Sequence, residues 1–136
     1  MYKFSSFVLM SLIASSGFAK PCVYNWSCFK LNNQSDQAAR IICHKNNIGN
    51  FPVEAAGHSE GSTQFDISLN DGMGYPDPDQ LNCEINFAGN EPNHSFSFYN
   101  PFWGPLIEFT LLSNNKMTVV AYDKWGSGQR RYDFNW

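Results

Sequence analysis

The sequence has little charge, and its balance is weakly acidic. Only 15% of its 136 residues are charged, with 12 acidic residues against 9 basic ones and a formal net charge of −3. Nucleic acids and anionic membranes are bound through clustered positive charge, so this composition excludes a nucleic-acid partner and disfavours an anionic membrane surface. Disorder is excluded as well, because 43% of the residues are hydrophobic and 16% are aromatic. The composition predicts a compact folded domain.

Long hydrophobic runs are also missing. Lys3 precedes an apolar stretch at 7–14, and small residues follow it, which is the pattern of a signal peptide over 1–19. The apolar stretch is too short to cross a bilayer, which needs about 20 residues, and no later segment approaches that length. We therefore expect a protein exported to the periplasm or the extracellular space. The mature part at 20–136 has the size of a single domain and no transmembrane segment.

Cysteine spacing typical of a metal site is absent, because the four cysteines include no C-x2-C pair. In an oxidising compartment an even number of cysteines predicts disulfides, here two. Three pairings are open. We favour Cys22–Cys28, which closes a short loop, together with Cys43–Cys83, which joins two predicted strands. No zinc is expected, and no cofactor is predicted apart from the calcium considered below.

Helical periodicity is nearly absent, and apolar and polar residues alternate with a period of two along much of the chain. The alternation is clearest at 94–99, where phenylalanines alternate with serines, and at 107–111. The predicted strands are Ser27–Asn32, Ala38–Lys45, Thr63–Leu69, Leu81–Phe87, Ser95–Tyr99, Leu106–Leu112, Met117–Tyr122 and Gln129–Trp136.

Turn-forming residues separate most of these strands. Clusters of Asn, Gly or Pro stand at 46–50, 70–72, 88–92, 114–115 and 126–128. Short strands at this spacing are typical of an all-β fold. We predict a disulfide-stabilised antiparallel β-sandwich of immunoglobulin-like size, with seven to eight strands. A small β-barrel is the alternative.

Motifs for catalysis are weak. Residues 57–61 match G-x-S-x-G, which in α/β-hydrolases places a nucleophile between a strand and a helix. Here a predicted strand follows the motif and the chain is too short for that fold, so we interpret the motif as a turn. His44, His58 and His94 stand at no spacing that presets a metal site. We predict that the protein is not an enzyme; a small hydrolase using Ser59, His58 or His94 is the alternative.

The segment 70–79 concentrates acidic residues among prolines and glycines. The carboxylates of Asp71, Asp77 and Asp79 are the kind of oxygen ligand that Ca²⁺ prefers, although the EF-hand spacing is missing. The hypothesis is a calcium site in this loop. The alternative is a solvated connection whose acidic side chains cap turns.

Two loops carry large aromatic residues. Phe102 and Trp103 lie between prolines directly after Tyr99, and Trp125 precedes glycines in a second loop. Such connections normally lie at the surface, where exposed rings are unfavourable unless they pack back or meet a partner. Rings beside Asn and Asp can stack on sugars or enter a lipid interface. We predict a ligand site at Tyr99, Phe102, Trp103 and Trp125; tryptophans packed into the core are the alternative.

The combined prediction is a secreted, non-catalytic binding protein whose aromatic and acidic loops bind a glycan, a lipid surface or a host protein. The alternative is an inhibitor or effector that binds another secreted protein. An outer-membrane barrel, suggested by the alternating aromatics at 132–136, ranks behind both, because such barrels need strands of about 9–11 residues. Three N-x-S sequons, at Asn25, Asn33 and Asn93, matter only in a host that glycosylates asparagine.

Overall fold

The computed structural model of the chain describes residues 27–45, 48–65, 80–102, 106–123 and 128–136. Within these ranges the structure contains nine β-strands and no helix. The strands are β1 (Ser27–Asn33), β2 (Ala39–Lys45), β3 (Ile48–Ala55), β4 (Ser59–Phe65), β5 (Gln80–Phe87), β6 (His94–Tyr99), β7 (Leu106–Ser113), β8 (Lys116–Tyr122) and β9 (Gln129–Asn135).

The strands form two sheets that enclose one core. β4, β1, β7, β8 and β9 lie side by side in the five-stranded sheet, and β3, β2, β5 and β6 form the four-stranded sheet. Six of the seven pairings are antiparallel, while β1 pairs in parallel with β7. The predicted β-sandwich is confirmed, with nine strands where seven to eight were predicted and with one parallel pair. The barrel alternative is wrong, because the two sheets stay separate.

Alternation along the strands directs every second side chain between the sheets. Buried and more exposed residues alternate in β5, β7 and β8. At the centre of the core, the Phe29 ring meets Phe65 and Phe109 edge-on, with centroids 4.9 and 5.2 Å apart. Burying side chains of this size stabilises the fold by about 1.5–3 kcal/mol each.

The buried side chain of Asn33 organises the connection from β1 to β2, which leads from the five-stranded sheet to the four-stranded sheet. Its Nδ2 donates to the carbonyl oxygens of Gln37 at 2.7 Å and Ala55 at 3.2 Å. Its Oδ1 accepts hydrogen bonds from the backbone N–H and the hydroxyl of Ser35, at 3.0 and 2.7 Å. Asn33 is fully buried, and these bonds satisfy its whole amide group, so the connection is fixed to the end of β3.

One edge of the sandwich is closed by a close approach of two backbones. β3 and β4 are the edge strands there, and the turn at 56–58 joins them. A β-carbon at Gly61 in β4 would collide with the carbonyl oxygen of Glu54 in β3. Glycine is therefore required for the two strands to lie this close.

The opposite edge is closed by aromatic side chains of β6 and β9, which we call the aromatic edge. β6 contributes every second residue, and the facing rings come from two residues of β9 and from the residue directly after it: His94, Phe96, Phe98, Tyr132, Phe134 and Trp136. The pairs in contact, with the distances between ring centroids, are Phe98–Tyr132 at 5.7 Å, Phe96–Phe134 at 5.1 Å and His94–Trp136 at 4.6 Å.

Two strands differ from the prediction. The sequence predicts a turn at 46–50, but β3 begins at Ile48 and continues through Pro52. Proline is tolerated in β3 because it is an edge strand. β4 begins at Ser59, earlier than the predicted start at Thr63, because residues 59–62 pair with residues 30–33 of β1. The predicted extension of this strand through 66–69 lies outside the described residues.

Cys43 and Cys83 form the predicted disulfide, with sulfur atoms 2.02 Å apart. They are directly paired residues of β2 and β5, so the bond joins neighbouring strands of the four-stranded sheet. Cys28 is disulfide-bonded as well. Its predicted partner Cys22 lies outside the described residues, as does the predicted signal peptide at 1–19. Among the residues that the structure describes, no helix is long and apolar enough to cross a membrane.

Candidate functional site

The register of the two sheets fixes which strand ends lie together. In the four-stranded sheet, Gln80 of β5 is paired with Tyr99 of β6. In the five-stranded sheet, Leu106, Tyr122 and Gln129 form one row across β7, β8 and β9. A short connection joins Tyr99 to Leu106, so both rows belong to the same end of the sandwich, which we call the loop end.

Each segment that the sequence analysis assigns to binding is attached at the loop end. The acidic segment lies between β4 and β5, the first aromatic loop between β6 and β7, and the second between β8 and β9. β4 reaches this end at Phe65, which is paired with Ser27. The topology thus brings the attachment points of the three segments together. Among the candidate site residues, those that lie outside the described ranges are Asp71, Asp77, Asp79, Trp103 and Trp125.

Phe102 links the two aromatic loops. The buried side chain of Asn100 holds the start of the first loop: its Nδ2 donates to the Phe102 carbonyl at 3.0 Å, and its Oδ1 accepts from the Phe102 N–H at 3.2 Å. The half-buried Phe102 ring packs against the core. A β-carbon at Gly128 would lie 3.3 Å from Cε1 of Phe102. The first loop therefore contacts the end of the second.

Tyr99 is the most exposed of the described candidate residues. Its side chain is 38% exposed and follows the exposed Ser95 and Ser97 on the outer face of β6. Its carbonyl oxygen accepts a hydrogen bond from the Tyr132 hydroxyl at 2.6 Å, which fixes the end of β6 to β9. Of the two candidates that the structure describes, Phe102 packs inward and Tyr99 faces solvent.

The G-x-S-x-G motif at 57–61 lies at the opposite end of the sandwich, where it comprises the end of the turn at 56–58 and the first three residues of β4. The Ser59 hydroxyl donates to the Ala56 carbonyl at 2.8 Å. His58, with a left-handed backbone at φ 56°, places Nε2 at 2.6 Å from Oδ1 of the exposed Asp36. The contact between His58 and Asp36 joins the turn to the β1–β2 connection. Ser59 begins β4, whereas the serine of a hydrolase would be followed by a helix.

The three histidines lie on different elements. His44 is in β2, His58 in the turn before β4, and His94 in β6, where it stacks on Trp136. Among the described residues no group of three or more His, Cys, Asp or Glu could hold a metal ion.

A shallow groove that the sequence analysis does not identify lies on the outer face of the four-stranded sheet. Its volume is about 450 Å³. The sequence does show that every second residue is polar in two of the predicted strands, Leu81–Phe87 and Ser95–Tyr99. Which polar residues of neighbouring strands meet depends on the register, so the sequence alone does not reveal the groove. We call it the sheet-face groove; its outward-facing side chains are Ile42, His44, Asn82, Glu84, Ser95 and Ser97.

Comparison with known proteins adds no further assignment. No protein-family model matches the sequence, and no curated protein is significantly similar to it.

Proposed function

We propose that the chain is a secreted, non-catalytic binding protein whose ligand contacts the loop end. The observation that carries the proposal is the common attachment of the acidic and aromatic segments to one end of the sandwich, with Phe102 packed beside Gly128. Loops presented by a rigid β-sandwich are a common arrangement for binding sites. Export is supported by the pattern at 1–19 and by the Cys43–Cys83 disulfide, which an oxidising compartment favours.

The residue types at the loop end favour three ligand classes. Aromatic rings beside Asn and Asp side chains suit the faces and hydroxyls of a glycan, and they also suit a lipid interface or a protein. The net charge of −3 disfavours a strongly anionic surface. Calcium held by Asp71, Asp77 and Asp79 would order the acidic segment beside the rings.

A titration of the folded secreted protein tests the proposal. Tryptophan emission and its quenching by acrylamide are followed while a glycan panel, phosphatidylcholine vesicles and Ca²⁺ are added in turn. We expect one class to shift the emission to shorter wavelength. In calorimetry, the variant Trp103→Ala/Trp125→Ala should bind that class at least about tenfold more weakly, since buried aromatic anchors dominate binding energy.

Trp136→Phe is the matched control, because Trp136 lies at the other end of the sandwich, where its backbone N–H donates to the Asn115 carbonyl. This variant should bind like the parent protein. Tryptophans that are unquenchable and respond to none of the additions would overturn the loop-end proposal. An equal loss of binding in Trp136→Phe would also contradict it.

The composition of the edge strand β6 favours a second candidate function. In this function the chain is an inhibitor or effector, and β6 pairs with a strand of the partner protein. β3 contains Pro52, and β9 carries Arg130 and Arg131, which are devices that block pairing at an edge. The edge strand β6 contains neither proline nor Lys or Arg, so it lacks these devices against the addition of a strand. A one-to-one complex with a protein, without any response to glycans or vesicles, would favour this candidate over the first.

A further inference from the structure

The sheet-face groove is built from two rows of side chains on three adjacent strands. The register places His44, Asn82 and Ser97 opposite one another in the first row, and Ile42, Glu84 and Ser95 in the second. Directly paired side chains of antiparallel strands lie about 5 Å apart, and consecutive rows on one face lie about 7 Å apart. The two rows therefore offer a compact set of polar groups on one surface.

The polar groups of the groove combine donors and acceptors. The Ser97 hydroxyl donates to Oδ1 of Asn82 at 2.7 Å. This bond orients the amide, so that Nδ2 of Asn82 is presented as a donor. The exposed Glu84 carboxylate and the exposed Ser95 hydroxyl supply acceptors in the neighbouring row. Such a mixed set suits a ligand whose groups both donate and accept, as hydroxyls do.

The charges of the residues that line the groove exclude further classes of ligand. The lining residues include no Lys or Arg and one carboxylate, Glu84. Phosphate, sulfate or nucleic-acid ligands would meet no fixed cation there and would be repelled by Glu84. An apolar ligand would meet Ile42 as the single aliphatic side chain among the outward-facing ones. A neutral, polyhydroxylated ligand remains the best match.

The floor of the groove is rigid. Cys43 and Cys83 are paired in the row that lies between the two polar rows, and their disulfide joins β2 to β5 on the buried side of the sheet. Because the bond prevents the two strands from sliding, the polar groups keep their spacing before any ligand arrives. Preorganised groups lose less entropy on binding than mobile ones.

An aromatic ring lies at one end of the groove. Tyr99 follows Ser97 by two positions on the same face of β6 and is 38% exposed. Two positions along a strand correspond to about 7 Å. A ring at that distance can stack on a sugar face while the polar rows bind its hydroxyls.

From these observations we infer that the sheet-face groove binds a neutral saccharide. The volume of about 450 Å³ lies within the ~300–1,000 Å³ of small-ligand sites. This surface lies on the face of the four-stranded sheet, whereas the proposed loop-end site is formed by connections between strands. Because Tyr99 borders both sites, the variants that distinguish them are those at Asn82 and Glu84 in the groove and those at Trp103 and Trp125 in the loops.

The test is a titration of the isotopically labelled full chain, after export, with maltohexaose, cellohexaose, chitohexaose and xylohexaose at millimolar concentration. Amide resonances of β2, β5 and β6 should shift with at least one of them. Asn82→Ala and Glu84→Ala should each weaken binding at least about fivefold, since each removes a hydrogen-bonding group. Tyr99→Ala, which removes the ring, should lower the affinity as well.

Asn135→Ala is the matched control, because Asn135 is an exposed asparagine in β9 of the other sheet; its affinity should equal that of the parent protein. Asn82→Asp is a second variant at this position, which tests whether weaker binding by Asn82→Ala comes from a folding defect. It keeps the acceptor for Ser97 but replaces the Nδ2 donor, and it should bind as weakly as Asn82→Ala.

Two results would overturn the inference. One is the absence of resonance shifts with all four oligosaccharides. The other is binding that withstands the Asn82 and Glu84 variants and is lost in Trp103→Ala/Trp125→Ala, since that result would place the sugar at the loop end.

Discussion

At the scale of single residues, Gly61 shows how a missing side chain can shape the sandwich. The residue lies within β4 and not in a turn, and it faces the backbone of Glu54 in β3. Close packing of backbones at this point holds two edge strands of different sheets together. The nearby turn at 56–58 then needs few residues to pass from one sheet to the other.

The variant Gly61→Ala should be less stable than the parent protein. Its β-carbon would collide with the Glu54 carbonyl, so β3 and β4 must separate, and overpacking of this kind typically costs about 1–3 kcal/mol. Equilibrium unfolding in urea measures the change. The control is Ser62→Ala, because Ser62 follows Gly61 and lies on the outer face of the sheet. Its free energy of unfolding should stay within about 0.5 kcal/mol of that of the parent protein. Equal midpoints for Gly61→Ala and the parent would show that the contact is not needed.

Single candidate residues could be predicted only in part. The prolines around Phe102 and the alternation before Tyr99 place both residues at a strand end or in a loop, and the structure agrees. Their orientation was not predictable in the same way. Phe102 turns inward because Asn100 anchors its backbone and the Gly128 backbone leaves room beside its ring. That contact joins two loops that are distant in the sequence.

At the scale of strands, the aromatic edge joins β6 and β9 through side chains, since the two strands belong to different sheets. Phe134 lies near the middle of this contact. Its ring is 5.1 Å from Phe96 and 6.1 Å from Trp136, measured between centroids. The edge thus replaces the backbone approach that closes the other side of the sandwich.

Phe134→Ala should lower the free energy of unfolding by about 2 kcal/mol, less than the ~3–5 kcal/mol typical of a fully buried phenylalanine, because Phe134 is half-buried. Thermal and urea unfolding measure the loss. The control is Arg130→Ala, an exposed position of the same strand, which should leave the midpoint nearly unchanged. A loss of the same size in both variants would assign the effect to β9 itself and not to the rings.

The strands differ in how well the sequence predicts them. β6 and β7 alternate cleanly, because each has one buried face and one more exposed face, and the predicted bounds of both lie within one residue of the observed ones. β3 was missed because Asn50 and Pro52 are typical of turns and its place at an edge removes the usual penalty for proline. The parallel pairing of β1 with β7 was also missed, since local patterns carry no information on distant partners.

At the scale of the whole molecule, the Cys43–Cys83 disulfide restrains the chain between β2 and β5. The double variant Cys43→Ala/Cys83→Ala should lose about 3–4 kcal/mol in free energy of unfolding, because a crosslink across a sequence separation of 40 limits the entropy of the unfolded chain. Urea unfolding without reductant is the appropriate measurement, since it leaves the disulfide of Cys28 intact. A loss below about 1 kcal/mol would mean that the unfolded chain gains little freedom.

The topology of the whole molecule explains why the sequence predicts the candidate sites only in part. The chemistry of the loops can be read from residue types such as those at 70–79 and 99–103. Their attachment to one end follows from the direction of each strand, which only the topology defines. The sheet-face groove is harder still, because Asn82 and Ser97 become neighbours through register.

Asn33 has a consequence for how the protein can be produced. The nitrogen that would carry an N-linked glycan at this sequon is Nδ2, and Nδ2 is buried and donates to Gln37 and Ala55. A chain glycosylated there could not close the β1–β2 connection, whereas Asn93 is exposed and has room for a glycan. In a eukaryotic secretory host, modification of Asn33 would therefore divert chains from folding, and the correctly folded product would carry an unmodified Asn33.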